Sequence, residues 1–152
     1  MADNLYSTFL LATKNVFELM LDLADITDKP VDDINTEGMY DISIGVTGDL
    51  QGEVIYCFPY DTSINIVKIM SGMEIDTVDD FVVSAVSEIA NIISGNVLTM
   101  LSEENIKCDI LPPMPYDRKK DSECKEYSIH TASRIKTAAG HIYLEVRLNP
   151  AK

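Results

Sequence analysis

Two hydrophobic periods take turns along the chain. Leu5, Phe9, Ala12, Val16, Met20 and Leu23 recur every three or four residues, which predicts a helix over 4–23 with Asp3 as its N-cap. Thr27-Asp28-Lys29-Pro30 ends it. Tyr40, Ile42, Ile44 and Val46 then alternate with Asp41, Ser43 and Gly45, the pattern of a half-buried strand over 39–47. A second strand over 51–58 follows the turn residues Gly48-Asp49, so the pair reads as a hairpin. Pro59 to Thr62 opens a shorter helix, with Ile66, Ile69 and Met70 facing inward and Gly72 closing it. A long helix is expected over 78–101, capped by Asp76 or Thr77, with Asp79 and Asp80 in its first turn. Beyond it lies a short strand over 107–111, stopped by Pro112-Pro113-Met114-Pro115. A charged, exposed loop over 116–123 precedes two last strands, 125–137 and 141–148, joined near Ala138-Ala139-Gly140. In the final strand Ile142, Leu144, Val146 and Leu148 alternate with Tyr143, Glu145 and Arg147. No linker, repeat or low-complexity tract interrupts this order. It argues for one α+β domain over 1–152: two layers, helices packed on a largely antiparallel sheet.

Composition narrows the partners. Twelve Lys and Arg against 25 Asp and Glu leave a net charge of −13. That excess argues against nucleic acid and anionic membrane, which are bound by Lys and Arg displacing counterions from phosphate. The first residues lack a basic, then apolar, secretory signal. Uninterrupted apolar runs such as Phe9-Leu10-Leu11-Ala12 are too short to span a bilayer. Cys57, Cys108 and Cys124 are odd in number and widely spaced, so neither a disulfide framework nor a metal knuckle is expected and a reduced, cytoplasmic setting follows. His130 and His141 stand without a Cys or carboxylate at ligand spacing, and no metal site is expected.

The long helix carries the one polar constellation that ordinary amphipathicity does not explain. At about 100° per residue, Val82, Ala85, Ile89, Ile93 and Met100 form a core face. Ser84, Glu88, Asn91, Gly95 and Ser102 fall in a strip roughly 60° wide, away from that face. Spacing alone would make the strip the helix's solvated side, yet Glu88 is its only charge in a chain rich in carboxylates. Gly95 costs about 1 kcal/mol relative to Ala in mid-helix, which points to close approach by another backbone or a bulky group. Glu88 and Asn91, at i and i+3, project side by side. A carboxylate there can pair with a Lys, and an amide can hold a water for attack. Such a pair suits hydrolysis of an activated phosphoryl group by positioning alone.

Ser84-xxx-Glu88-xx-Asn91, with Pro113 after twenty-one further residues and Pro115 after twenty-three, resembles the signature of the CheC/CheX/FliY chemotaxis phosphatases. That signature runs Ser or Asp, three residues, Glu, two residues, Asn, about twenty-two residues and Pro. Asn91-Ile92-Ile93-Ser94-Gly95-Asn96 and the hairpin glycines Gly48 and Gly52 are also similar to the family. The resemblance implies a CheC-like fold that removes phosphate from the phospho-aspartate of a CheY-type response regulator. Asn91 would orient the attacking water and Glu88 would pair with the regulator's active-site Lys. Ser84, Gly95 and Pro113 would contact the partner, and Mg²⁺ would belong to the regulator, with no cofactor held by this chain. A second copy of the motif is missing: the first helix has Ser7 but Leu11 where Glu is required. One site per chain is similar to the CheX type, which implies a homodimer through sheet edges, with the final strand ending at Leu148 as the candidate edge. The alternative is a non-catalytic interaction module of the same fold, binding a response regulator or a flagellar or signalling partner. Elsewhere Cys57 and Cys108 read as core residues, and Arg118-Lys119-Lys120 as a solvated loop cluster.

Overall fold

The alternation between residues 39 and 58 builds the middle of the molecule. In the computed structural model, which describes residues 2–23, 25–32, 34, 37–116 and 126–151, β2 (Met39–Gly48) and β3 (Leu50–Pro59) pair antiparallel with Ile44 opposite Val54. On its other side β3 pairs with β7 (Gly140–Pro150), β7 with β6 (Ile129–Thr137), and β6 with β1 (Thr27–Pro30). The two short strands β4 (Cys108–Ile110) and β5 (Met114–Pro115) lie along the free side of β2. Every pairing is antiparallel, in the order β1-β6-β7-β3-β2-β4.

Three helices, α1 (Ala2–Leu21), α2 (Tyr60–Ser71) and α3 (Asp80–Glu103), contribute with the sheet to one core. Period-two spacing puts Ile42, Ile44, Val54, Tyr56 and Val146 on the sheet's helical side, against Phe9, Val16, Ile89 and Ile93 from the period-3.6 stripes. Each such aliphatic side chain, fully buried, contributes about 1.5–3 kcal/mol. The α+β, two-layer expectation therefore holds. α1 is further tied to β1, because the Tyr6 hydroxyl donates to Asp28 at 2.6 Å. Burial first, and then the Asp28 carboxylate, push that phenol up to about 12.

The sheet's other face is covered in part. Ile34, Ile55, Cys57 and Tyr116 form a smaller apolar cluster there. Beside it Arg147 donates to Glu145 at 2.9 Å, to Tyr116 at 3.0 Å and to Glu53 at 3.3 Å, with its guanidinium 5.8 Å from the Tyr116 ring centre. Burial pulls the Arg147 pKa down, but the Tyr116 hydroxyl and the Glu145 carboxylate outweigh it and hold the pKa above its ordinary value. His130, read as standing alone, has Nε2 2.7 Å from Glu145 Oε2. Tyr143, Glu145 and Arg147 do face away from the main core as the alternation required, yet Glu145 is buried in this cluster.

Several elements differ from expectation. Asp3 lies inside α1, not before it. Thr27–Pro30, expected only to end the first helix, forms the edge strand β1; its four exposed residues carry no alternation to announce it, and an edge tolerates Pro30. In α2, Gly72 closes the helix at φ 70°, its N–H on the Lys68 carbonyl, but Ile69 and Met70 are exposed. Val67, Thr62 and Ser63 turn inward with Ile66, because Thr62 donates to the His141 carbonyl and Asn65 to that of Ala139. The strand ending at Leu148 is no edge: β7 lies between β3 and β6, since the β6–β7 hairpin folds back onto β1 and leaves β7 facing β3. Met114–Pro115 pairs with β2 instead of merely stopping β4. Tyr116, placed in the exposed loop, is buried. Residues 117–125, with Arg118-Lys119-Lys120, Cys124 and the expected strand start at Lys125, lie outside the described residues.

Gly52 sits in the middle of this arrangement, between Val46 and Leu148, at φ 149°. A Cβ there would collide with the Arg147 carbonyl oxygen. Gly52→Ala is expected to lower stability by about 2 kcal/mol or more, measured by urea denaturation. An unchanged midpoint and slope would show that the β3–β7 pair yields without cost.

Candidate functional site

The site stands on α3, and the helix is set in place from its first turn. Asp79, not Asp76 or Thr77, is the N-cap: its carboxylate accepts the Val82 N–H at 3.1 Å, while Asp80 meets the positive end of the helix. Val82, Val86, Ile89, Ala90, Ile93, Ser94, Val97 and Leu101 are buried. The expected core residues Val82, Ile89 and Ile93 are among them, whereas Ala85 and Met100 are only half-buried. The true core face is thus turned by roughly 60° from the expected one. That rotation places the polar strip nearly opposite the core, about 150–160° around the helix.

By length and composition α3 is apolar enough to cross a membrane, a property that the short uninterrupted runs concealed. Here its apolar side is packed in the core.

Ser94, on the same helix, proves structural. Its hydroxyl is hydrogen-bonded at 2.8 Å to the hydroxyl of Tyr56 on β3, deep in the core. Tyr56 is fully buried, and burial pushes its phenol pKa well up while the Ser94 bond draws it back. Among the described residues this is the polar contact that ties the buried side of α3 to the sheet. Apolar packing is non-directional; this bond specifies which turn of α3 meets β3.

On the outward side, Ser84 and Glu88 are exposed and Asn91 and Gly95 half-exposed. Glu88 and Asn91 are one turn apart, with Cβ atoms about 5–6 Å from each other by helix geometry. Among the described residues, neither side chain has a hydrogen bond or ion pair. Among the described residues nothing lies within 4 Å of where a Gly95 Cβ would stand, so none of them makes the close approach expected there. Pro113 stands apart on another element. It is half-buried between β4 and β5, in a stretch held to β2 by Leu111 N–H on the Gly45 carbonyl and Tyr116 N–H on that of Asp41, both at 2.9 Å. The structure therefore gathers four of the five predicted residues on one helix face. No group of three or more His, Cys, Asp or Glu suited to a metal occurs among the described residues.

Phe81 was missed. It is 46% exposed at the start of α3. The signal was present in the spacing, because seven residues separate it from Glu88 and bring it within roughly 20° of that side chain's direction.

A family model described as "Chemotaxis phosphatase CheX" matches residues 40–132. A curated relative, the "CheY-P phosphatase CheX" of Thermotoga maritima, is 35% identical over 71 residues, 46% of each chain. The match thus spans about half the length of that relative. Among solved structures, a chain of the CheX–CheY–BeF3–Mg complex from Borrelia burgdorferi superposes with a TM-score of 0.79 at 22% identity, covering 95% of this chain and 97% of that one. Chemotaxis protein CheX from Vibrio vulnificus gives 0.81 at 20% identity, covering 96% and 99%. These two likenesses show a shared fold.

The two sides of α3 should respond oppositely to substitution. Ser94→Ala leaves the buried Tyr56 hydroxyl unpaired and is expected to cost about 1–3 kcal/mol. Tyr56→Phe should cost less, since the Ser94 hydroxyl can turn to its own helix carbonyl one turn back. Glu88→Ala and Asn91→Ala should stay within about 0.5 kcal/mol of wild type. Urea denaturation of the four variants checks this, and a neutral Ser94→Ala would remove the bond's structural role.

Proposed function

The chain belongs to the CheX family of chemotaxis phosphatases, and we propose that it hydrolyses the aspartyl phosphate of a CheY-type response regulator through Asn91 and Glu88. One observation carries the reading: a carboxylate and an amide, one turn apart and without partners among the described residues, face outward from a helix whose other side is packed in the core. The family match includes both residues, and the named activity of the Thermotoga relative supports the reaction class.

In this reading α3 docks against the regulator's active site as a rigid rod. The Glu88 carboxylate pairs with the regulator's active-site Lys and holds it in place. Asn91 enters beside the acyl phosphate, where its amide carbonyl accepts a hydrogen bond from the attacking water and orients it in line. The water adds to phosphorus as the bond to the aspartyl oxygen breaks, releasing the regulator's free carboxylate and inorganic phosphate. Neither residue forms a bond to phosphorus; the contribution is positioning. Mg²⁺ belongs to the regulator's acidic pocket and the chain holds no cofactor of its own. Ser84 and Gly95 form the rim of the contact, the bare Gly95 letting the partner come close, and Pro113 adds a contact from the sheet edge. The chain acts as a single domain over 1–152, in the cytoplasm and without nucleic acid or membrane as partners. It pairs with a second copy across a sheet edge, for which β1 and the β4–β5 side of β2 are the open choices.

The test is decay of a phosphorylated CheY-type receiver with wild type, Glu88→Ala and Asn91→Ala. Asn91→Ala is expected to keep receiver binding and to lower kcat by about a hundredfold or more. Glu88→Ala should raise KM as well, by about tenfold or more. A receiver decay rate untouched by wild-type protein would leave the non-catalytic interaction module as the function.

A further inference from the structure

The proposed docking strip is poor in adhesive chemistry. Glu88 is the strip's single charge, and one ion pair fixes register and partner choice more than it supplies the bulk of affinity. Binding energy at protein interfaces concentrates instead in a few aromatic or aliphatic anchors that lose their water. An anchor of that kind stands on the same face. Phe81 begins α3 with 46% of its surface exposed, within roughly 20° of the Glu88 direction and two turns from it. Its neighbours along this face, Ser84 at i+3 and Ala85 at i+4, are too small to cover the ring. The approach to α3 is apolar too: Ile69, Met70 and Met73 are exposed in the last turn of α2 and the connection that follows.

We propose that Phe81 is the apolar anchor of the docking face, seated on an apolar patch that borders the receiver's acidic pocket. The inference rests on the reading of Glu88 and Asn91 given above and assigns a division of labour within it. Phe81 supplies adhesion, Glu88 registers the helix on the receiver's Lys, and Asn91 acts on the phosphate. Phe81 touches neither water nor phosphorus, so it acts on binding and not on the chemical step. A receiver lacking the apolar patch is bound about tenfold more weakly even when its acidic pocket is intact, which makes Phe81 a determinant of which receiver is preferred.

The experiment uses full-length protein in two assays: steady-state dephosphorylation over a range of receiver concentrations, and binding of a beryllofluoride-activated CheY-type receiver. Phe81→Ala is expected to raise both KM and Kd by about tenfold, with kcat within about twofold of wild type. Phe81→Leu should recover most of the loss, while Leu19→Ala, which trims a side chain 86% exposed on α1, should change neither constant. An unchanged KM and Kd for Phe81→Ala, or an equal loss for Leu19→Ala, overturns the proposal. Asn91→Ala in the same assays separates the two claims. If it keeps full turnover the catalytic reading fails, while the Kd of Phe81→Ala still decides the anchor.

Discussion

Everything outward on α3 is decided by what is buried beneath it. Seven apolar side chains and Ser94 fill the side turned to the core, and the Tyr56–Ser94 bond gives that contact a direction which packing alone would lack. A helix held this way has little freedom to roll. Glu88 and Asn91 consequently need no bonds within their own chain to keep their orientation; the backbone aims them. That matters for chemistry by positioning, where side chains tied up internally would have to be released before they could serve a partner.

The electrostatics fit the same scheme. A net charge of −13 spreads carboxylates over the chain, yet the proposed docking strip holds one. A second carboxylate beside Glu88 would repel any acidic pocket brought near it and would compete for the same Lys. Keeping Ser84, Asn91 and Gly95 uncharged lets one carboxylate act as a locating pin. The rest of the acidity is left to solubility.

How far the residues foretold this depends on how local each feature is. The β2–β3 hairpin, the Gly72 cap and the strip itself follow from spacing within one element, and all were legible. The phase of α3 was misjudged because Ala85 and Met100 look as apolar as Val86 and Leu101, and only the opposing sheet decides which of them it faces. β1 was invisible, since four exposed residues carry no pattern and are made a strand only by β6. The interior place of β7 was equally hidden, being a matter of strand order between distant segments. Ser94 could not be read as a core residue without knowing that Tyr56 lay opposite, and whether Phe81 is exposed is decided by what packs at the start of α3.

The strand order bears on how the chain assembles. β7 is the last of the described strands and lies near the middle of the sheet, joining β6 and β1 on one side to β3, β2 and β4 on the other. Its pairing with β3 brings Leu50 opposite Pro150, a loop closure of about a hundred residues, so the two halves of the sheet cannot unite until residues 140–150 are present. Until then α3, apolar enough to pass for a membrane helix, has only part of its cover. During synthesis this is a protein whose most hydrophobic helix waits for its keystone, and the interval belongs to chaperones or to aggregation.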